Sequence, residues 1–560
     1  MLIVMVNISQ SLSQKRNVSI VFLLIPLALS AFTHIWNPIG FPAIHVDEGH
    51  YMRRAMQVLQ GLGPQESKAT YDYGYDHPYL GQIFLASVLS LINYPSSIHP
   101  SVSSDSIAML YIVPRVLMGI LAVVDTFLVY KIADTRYNRK VAFVAATLFA
   151  VMPIGILLRG ILLDSIALPF ILLSILFAIY STKSEVSINR NDNNNKKLLL
   201  ILLSGLFLGL AIFTKMPVFT MIPLLVFIII KGNGSKRSNN YNNDNNTSFT
   251  SSINNRHSNL KLLALWFIPV IIIPLIWPLF AISVGQIDNW KQGVLYQTAR
   301  DSGGKNLRSS ILYIAEIDPV LLILGAAAII FSIIKKDYFI LLWTFPYMIF
   351  LYAIGWTVPF HWNTLVPLLC IALGAMVVSL INTVASSRKL TKYIPHAGIS
   401  AVIVFGFLVT LTLLQANLNS SYFDLYSFIV RELGHHDINL KNQENNEGTT
   451  MIGSHRTRAL MWIPLYVFKD NVTFRETDIP NDNFTAPVKT KKFLLVADSG
   501  LLSRLTSTDQ YYRDKRVTDL YYNTSNTIAT FINKVSDKYD FMNIEGNYGF
   551  GWFVDVRANR

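Results

Sequence analysis

Long apolar runs separated by short polar stretches fill the first three quarters of the chain. About eleven of them are mostly apolar over the roughly 20 residues that a helix needs to cross a bilayer. They lie near residues 18–37, 111–131, 141–158, 163–181, 197–214, 217–231, 261–283, 318–334, 338–355, 363–384 and 397–416. A further apolar segment, "YLGQIFLASVLSLI" at 79–92, is too short to cross and reads as an interfacial or re-entrant helix. Past about residue 420 the pattern changes. "SYFDLYSFIVRELG" has helical periodicity, "LYVFKDNVTFRE" alternates like a strand, and "KKFLLVADSG" reads as a buried strand ending in a turn. The expected architecture is a polytopic α-helical membrane protein with a small C-terminal α/β domain outside the membrane. The membrane module would occupy residues 1–417, with an outer loop at 38–110, and the α/β domain 418–560.

Composition agrees with a membrane protein. The chain has 560 residues, 52% hydrophobic and 14% charged, against about 25% charged in a typical soluble domain. The formal charge of +13 would suit a nucleic-acid partner, but Lys and Arg lie mostly between the apolar runs. No nucleic-acid partner is expected. With the N-terminus inside, the inner segments hold the larger share of Lys and Arg, which places 38–110 and the C-terminal region outside. This makes a multi-pass cell-membrane protein with a cytoplasmic N-terminus and an extracytoplasmic C-terminal domain. "ALSAF", with Ala28 and Ser30, resembles a signal-peptidase site, and an uncleaved anchor is the expected reading. Asn-rich tracts, "NRNDNNNKK" and the stretch within 232–260, read as disordered inner loops. A single cysteine, Cys370, permits no intramolecular disulfide and no CxxC site. Phosphate-binding glycine motifs and internal repeats are absent.

Ionisable residues near membrane depth are costly and therefore candidate functional groups. "PAIHVDEGHYMRRA" at 42–55 follows the first span and holds Asp47, Glu48 and Tyr51. "YDHPYLGQ" holds Asp76 and His77, and "RGILLD" holds Arg159 and Asp164 in a turn between spans. "FTKMP" holds Lys215, and "VPFHWNTLVP" holds His361. Each has a plain structural reading: acids at a helix start, a turn before Pro78, a salt bridge, a snorkelling lysine, a helix cap. Their common assignment to outer turns favours function. The spacing of "HVDEGH" also allows a metal reading, but HExxH is absent and the two histidines do not share a helix face. No divalent metal and no cofactor is expected. Four N-x-S/T sequons, at Asn419, Asn471, Asn483 and Asn523, fall on the outer side as candidate glycosylation sites.

Taken in order, these motifs resemble the GT-C membrane glycosyltransferases of the protein O-mannosyltransferase and aminoarabinose transferase type. "VDEGHY" is similar to the outer-loop Asp-Glu pair, "YDHPYLGQ" to D-x-H-P-P-L-G, "RGILLD" to R-x-x-x-L-D and "FTKMPV" to L-x-K-x-P. Tyr79 stands where that family has a second proline, and the W-W-D-x-G of the oligosaccharyltransferase branch is missing. The resemblance implies transfer of a sugar, mannose or a related hexose, from a polyprenyl-phosphate carrier to an acceptor hydroxyl at the outer face, with inversion. The acceptor would be a protein, a lipid or a glycan. Asp47 would serve as general base and Glu48 would position the acceptor or stabilise charge. Arg159 and Lys215 would meet the departing phosphate. Tyr51, Asp76, His77, Asp164 and His361 would line the substrates. A secondary transporter and a non-catalytic cell-envelope glycan assembly protein are the rival readings.

Overall fold

The computed structural model describes residues 20–64, 75–183, 190–234, 248–298, 305–355, 357–384, 393–434, 449–453, 461–470, 472–476, 492–497, 540–546 and 549–557. Every apolar run is helical over most of its length. In chain order the helices are α1 Ile20–Ile35, α2 Val46–Leu59, α3 Leu80–Leu91, α4 Ser104–Arg136, α5 Arg139–Val151, α6 Leu163–Lys183, α7 Arg190–Thr214 and α8 Ile222–Gly234. They continue as α9 Ser248–Ser283, α10 Ile287–Thr298, α11 Lys305–Ile317, α12 Pro319–Ile334, α13 Tyr338–Ile354, α14 Val366–Val384, α15 Ile394–Gln415 and α16 Ser420–Gly434.

The expected eleven spans are not all single, full-length helices. Among the described residues six helices are long and apolar enough to cross a membrane, or up to eight if each bent pair counts as one span. One bent pair is α5 with the 3-10 turn Pro153–Arg159, at 66°, and the other is α11 with α12, at 115°. Prolines at the break explain both, since each lacks the N–H that would continue the preceding helix. The chain is a multi-pass membrane protein.

Two compact units divide the chain. The first comprises 1–38, 65–81 and 116–415, and the second 39–64, 82–115 and 416–560. This differs from the expected cut at 417/418. Segments 39–64 and 82–115 group with the C-terminal region, as in the Asn419 bonds to Ile39 and Ile44 and the Trp462 bond to Tyr111.

In the first unit, α6 packs on α7, α7 on α9, and α5 and α12 on α14. Gly205 and Gly209, one helical turn apart on α7, let the α9 backbone come close. A Cβ at either position would collide with the carbonyl oxygens of Trp266 or Pro269, the small-residue packing that membrane helices use in place of a hydrophobic driving force. Parts of the Asn-rich tracts are helical here. Residues 190–197 begin α7 and 248–260 begin α9, whereas 235–247 lie outside the described residues. Extending a helix that an apolar run has already nucleated costs little per residue, so poor helix formers are carried along.

The second unit holds α2, α3, the start of α4, α16 and a five-stranded sheet: β1 Thr449–Gly453, β2 Val472–Glu476, β3 Lys492–Ala497, β4 Asp540–Gly546 and β5 Gly549–Arg557. The sheet order is β2-β1-β3-β5-β4. β1 is parallel to both β2 and β3, with Met451 opposite Phe474 and Leu494, and β5 runs antiparallel to β3 and β4. The run expected as one strand, "LYVFKDNVTFRE", splits. Ile463–Val467 forms a π-helical turn and only Val472–Glu476 is strand. The turn forms because its apolar residues face the unit's interior. Met461, Trp462 and Ile463 are buried, Trp462 Nε1 donates to the Tyr111 hydroxyl at 3.1 Å, and Phe423 lies against the same tyrosine.

Candidate active site

The adjacent carboxylates open α2. His45 is the N-cap. Its Nδ1 accepts from the Asp47 backbone N–H at 3.2 Å, while Glu48 Oε1 reaches back to the His45 N–H at 3.0 Å, so the first turn is capped from both sides. Glu48 is also the acceptor of a two-pronged ion pair. Arg115 Nη2 donates to Oε1 at 2.7 Å and Arg115 Nε to Oε2 at 3.0 Å, and both side chains are buried. Asp47 is the more accessible of the two. Its side chain is 32% exposed, against 1% for Glu48, and its Oδ2 lies 3.8 Å from His45 Nδ1. Of two neighbouring acids, one is locked into the fold and one looks outward.

Tyr51 and His50 are buried one turn further along α2, where His50 Nδ1 lies 3.0 Å from Arg53 Nη2. Arg115 is not among the residues expected from the sequence, because it lies inside an apolar run. A lone arginine within a hydrophobic stretch is the signal that could have found it.

The first unit holds the other candidates. Asp164 sits in the first turn of α6 and pairs with Lys215 Nζ, both side chains buried. Lys215 also lies 5.1 Å from the centre of the Phe360 ring, a favourable cation–π distance. His361 belongs to the 3-10 turn Pro359–Thr364 that precedes α14, one turn earlier than the span start would suggest. Its carbonyl accepts from the Tyr347 hydroxyl at 2.7 Å.

Arg159 ends the 3-10 turn after α5 and is fully buried. Its Nη2 donates to the carbonyls of Trp36, at 2.7 Å, and Asn37, so part of its donor capacity holds the C-terminal end of α1. Asp76 and His77 are half-buried between two buried tyrosines. Tyr75 donates to Gln286 Oε1 at 2.9 Å, and Tyr79 packs edge-on against Phe213 and Phe280. Burial, with the Tyr75 charge adding to it, pushes the Tyr79 hydroxyl up to about 12. It therefore stays protonated at any physiological pH. The residue that departs from the family pattern thus anchors this loop by aromatic packing. Among the described residues no cluster of three metal-ligating side chains occurs.

Comparison with solved structures gives the fold a precedent. The apo oligosaccharyltransferase of Archaeoglobus fulgidus superposes with a TM-score of 0.55 at 13% identity, over 95% of this chain and 74% of that one. The archaeal oligosaccharyltransferase AglB from the same organism, in complex with an inhibitory peptide and a dolichol-phosphate, gives 0.54 at 13% identity, over 96% and 74%. This chain shares the fold of these oligosaccharyltransferases. Residues 69–285 match the family model described as "Dolichyl-phosphate-mannose-protein mannosyltransferase". ArnT from Cupriavidus metallidurans bound to undecaprenyl phosphate aligns over 96% of this chain and 97% of that one, at 9% identity and a TM-score of 0.49. No curated protein sequence matches the chain. The matched family model is that of a mannosyltransferase, in agreement with the resemblance, and its span takes in "YDHPYLGQ", "RGILLD" and "FTKMPV". The likeness to the oligosaccharyltransferases is one of GT-C fold, since W-W-D-x-G is absent here.

Proposed function

We propose that the protein transfers a hexose from a polyprenyl-phosphate carrier to an acceptor hydroxyl, with Asp47 as general base. The observation that carries this reading is the division of labour at the start of α2. An attacking hydroxyl must lose its proton as it reaches the anomeric carbon, and a carboxylate within hydrogen-bond reach can take it. Glu48 is already satisfied by the capping box and Arg115, whereas Asp47 is the exposed member of the pair. Glu48 thus serves to hold the helix start, and Asp47 does the chemistry.

One displacement at the anomeric carbon inverts its configuration. The new bond forms from the acceptor oxygen as the bond to the phosphate oxygen breaks, the proton passing to Asp47. As a separate reading, Lys215 of the first unit is the proposed contact for a polyprenyl phosphate, a group that accepts charge-assisted hydrogen bonds well. No metal is assigned to the step. The distribution of Lys and Arg among the loops supports a cytoplasmic N-terminus and an extracytoplasmic C-terminal domain.

The test is reconstitution of the full-length protein in detergent with radiolabelled polyprenyl-phosphate mannose or glucose and a hydroxyl-bearing peptide or glycan acceptor. The expected product carries the label in the anomeric configuration opposite to the donor's. Retained configuration, or transfer from a soluble nucleotide sugar alone, would overturn the reading. Carrier binding is checked separately, by titrating the polyprenyl phosphate into wild type and Lys215→Met; equal affinities would remove Lys215 from that role.

A further inference from the structure

Asn419 lies in a sequon, Asn419-Ser420-Ser421, just beyond α15. As a glycan acceptor it would need its amide nitrogen in solvent. The structure buries it completely. Its Nδ2 donates to the carbonyls of Ile39, at 2.7 Å, and Pro42, at 3.1 Å, while its Oδ1 accepts from the Ile44 N–H at 2.9 Å. Two further bonds act on the same short segment: the Leu418 N–H to the Gly40 carbonyl at 3.0 Å, and Arg115 Nη1 to the Pro42 carbonyl at 3.0 Å. The segment 39–44 leads directly into His45, the N-cap of α2, and then to Asp47.

We propose that Asn419 is a positioning residue, a latch from the C-terminal region that fixes segment 39–44 and thereby sets where Asp47 is presented. This rests on the proposed transferase reading for its catalytic consequence, but not for the latch itself. One primary amide satisfies two acceptors and one donor on a segment about 375 residues away in sequence, a match that neither aspartate nor alanine reproduces. Aspartate keeps the acceptor for Ile44 but turns a negative oxygen toward two carbonyls. Alanine leaves all three backbone groups without this partner. Asn419 acts on the backbone of Ile39, Pro42 and Ile44, so its effect passes through the loop to Asp47.

The experiment compares wild type, Asn419→Ala, Asn419→Asp and Ser421→Ala in the full-length protein. Ser421→Ala destroys the sequon and leaves the amide in place. Hydrogen exchange of peptides covering 39–45 reads the latch, intact-mass analysis reads glycan occupancy, and transfer kinetics read positioning. The expected result is slow exchange and no glycan on Asn419 in wild type, with Ser421→Ala indistinguishable from it. In Asn419→Ala, exchange at 39–45 should be at least about tenfold faster and kcat at least about tenfold lower, with the donor KM within about twofold. In Asn419→Asp the Ile44 amide stays partly protected while kcat falls as far.

A glycan on Asn419, fast exchange of Ile44 in wild type, or Ser421→Ala reproducing the loss would overturn the latch. These readings stand even if an alanine variant fails to fold. Faster exchange with unchanged kcat would overturn the positioning role. Absence of transfer by the wild type with every donor would sink the transferase reading instead, with the exchange arm still deciding the latch.

Discussion

The starts of α2 and α6 look alike in sequence and differ in the structure. Both place a carboxylate in the first turn, where the helix dipole favours negative charge, and both pair a buried acid with a cation from a distant part of the chain. At α6 the one acid, Asp164, is taken by Lys215. At α2 there are two acids. Glu48 does what Asp164 does, accepting a buried cation, and Asp47 is left partly exposed. A buried carboxylate paired with a cation recurs at both helix starts, and the more exposed neighbour is what sets α2 apart.

Breaking the paired acids should cost stability, most at α2. Arg115→Met removes the guanidinium that Glu48 faces at 2.7 and 3.0 Å, and a loss of about 3–5 kcal/mol is expected for a buried pair broken on one side. Adding Glu48→Leu should recover most of it, since two well-packed apolar groups replace such a pair at little cost. Denaturant unfolding of the four proteins in the cycle measures the coupling, and additive losses would show that the two side chains do not act as a pair. Lys215→Met should destabilise by about 3 kcal/mol, at the low end of that range, because both partners are slightly less buried than at α2. A larger loss at α6 than at α2 would reverse the ranking.

Smaller effects test the surroundings of the first unit. Gly205→Ala forces α7 away from the Trp266 carbonyl, and overpacking of this kind costs about 1–3 kcal/mol; a thermal scan showing no loss would mean the two helices are not so close. Tyr79→Phe keeps the aromatic packing and removes only a weak bond to the Ile276 carbonyl at 3.4 Å. Its cost should stay below about 1 kcal/mol, whereas Tyr79→Ala should exceed about 3 kcal/mol. Equal losses would assign the anchoring to the hydroxyl.

Much of this architecture is legible in the amino-acid sequence. Apolar period and length locate the helices built on apolar runs, because burial in lipid leaves the backbone no alternative to hydrogen bonding within the segment, whereas the more polar α10 and α11 match no expected run. Cost at membrane depth singles out Asp47, Glu48, Asp164 and Lys215. Their partnerships are not legible. Arg115 pairs with Glu48 across 67 positions, and nothing local in "YIVPRVLM" marks the arginine as that partner. Arg159, expected at the carrier's phosphate, spends a donor on the carbonyls at the end of α1, a demand created only when the helix ends there. Asn419 reads as a glycosylation sequon because a three-residue pattern carries no information about burial. The end of the π-helical turn, Leu465–Val467, reads as strand because the alternation of "LYVFKDNVTFRE" continues through it into Val472–Glu476.

The most direct test sets the two acids of α2 against each other. Transfer rates and unfolding midpoints are measured for wild type, Asp47→Asn and Glu48→Gln. Loss of a general base costs about 10²–10⁴ in rate, so Asp47→Asn should lose at least about a hundredfold in kcat while its midpoint stays at the wild-type value. Glu48→Gln should lower the midpoint first. Transfer by Asp47→Asn within about threefold of wild type, in a protein that is still folded, would contradict the account.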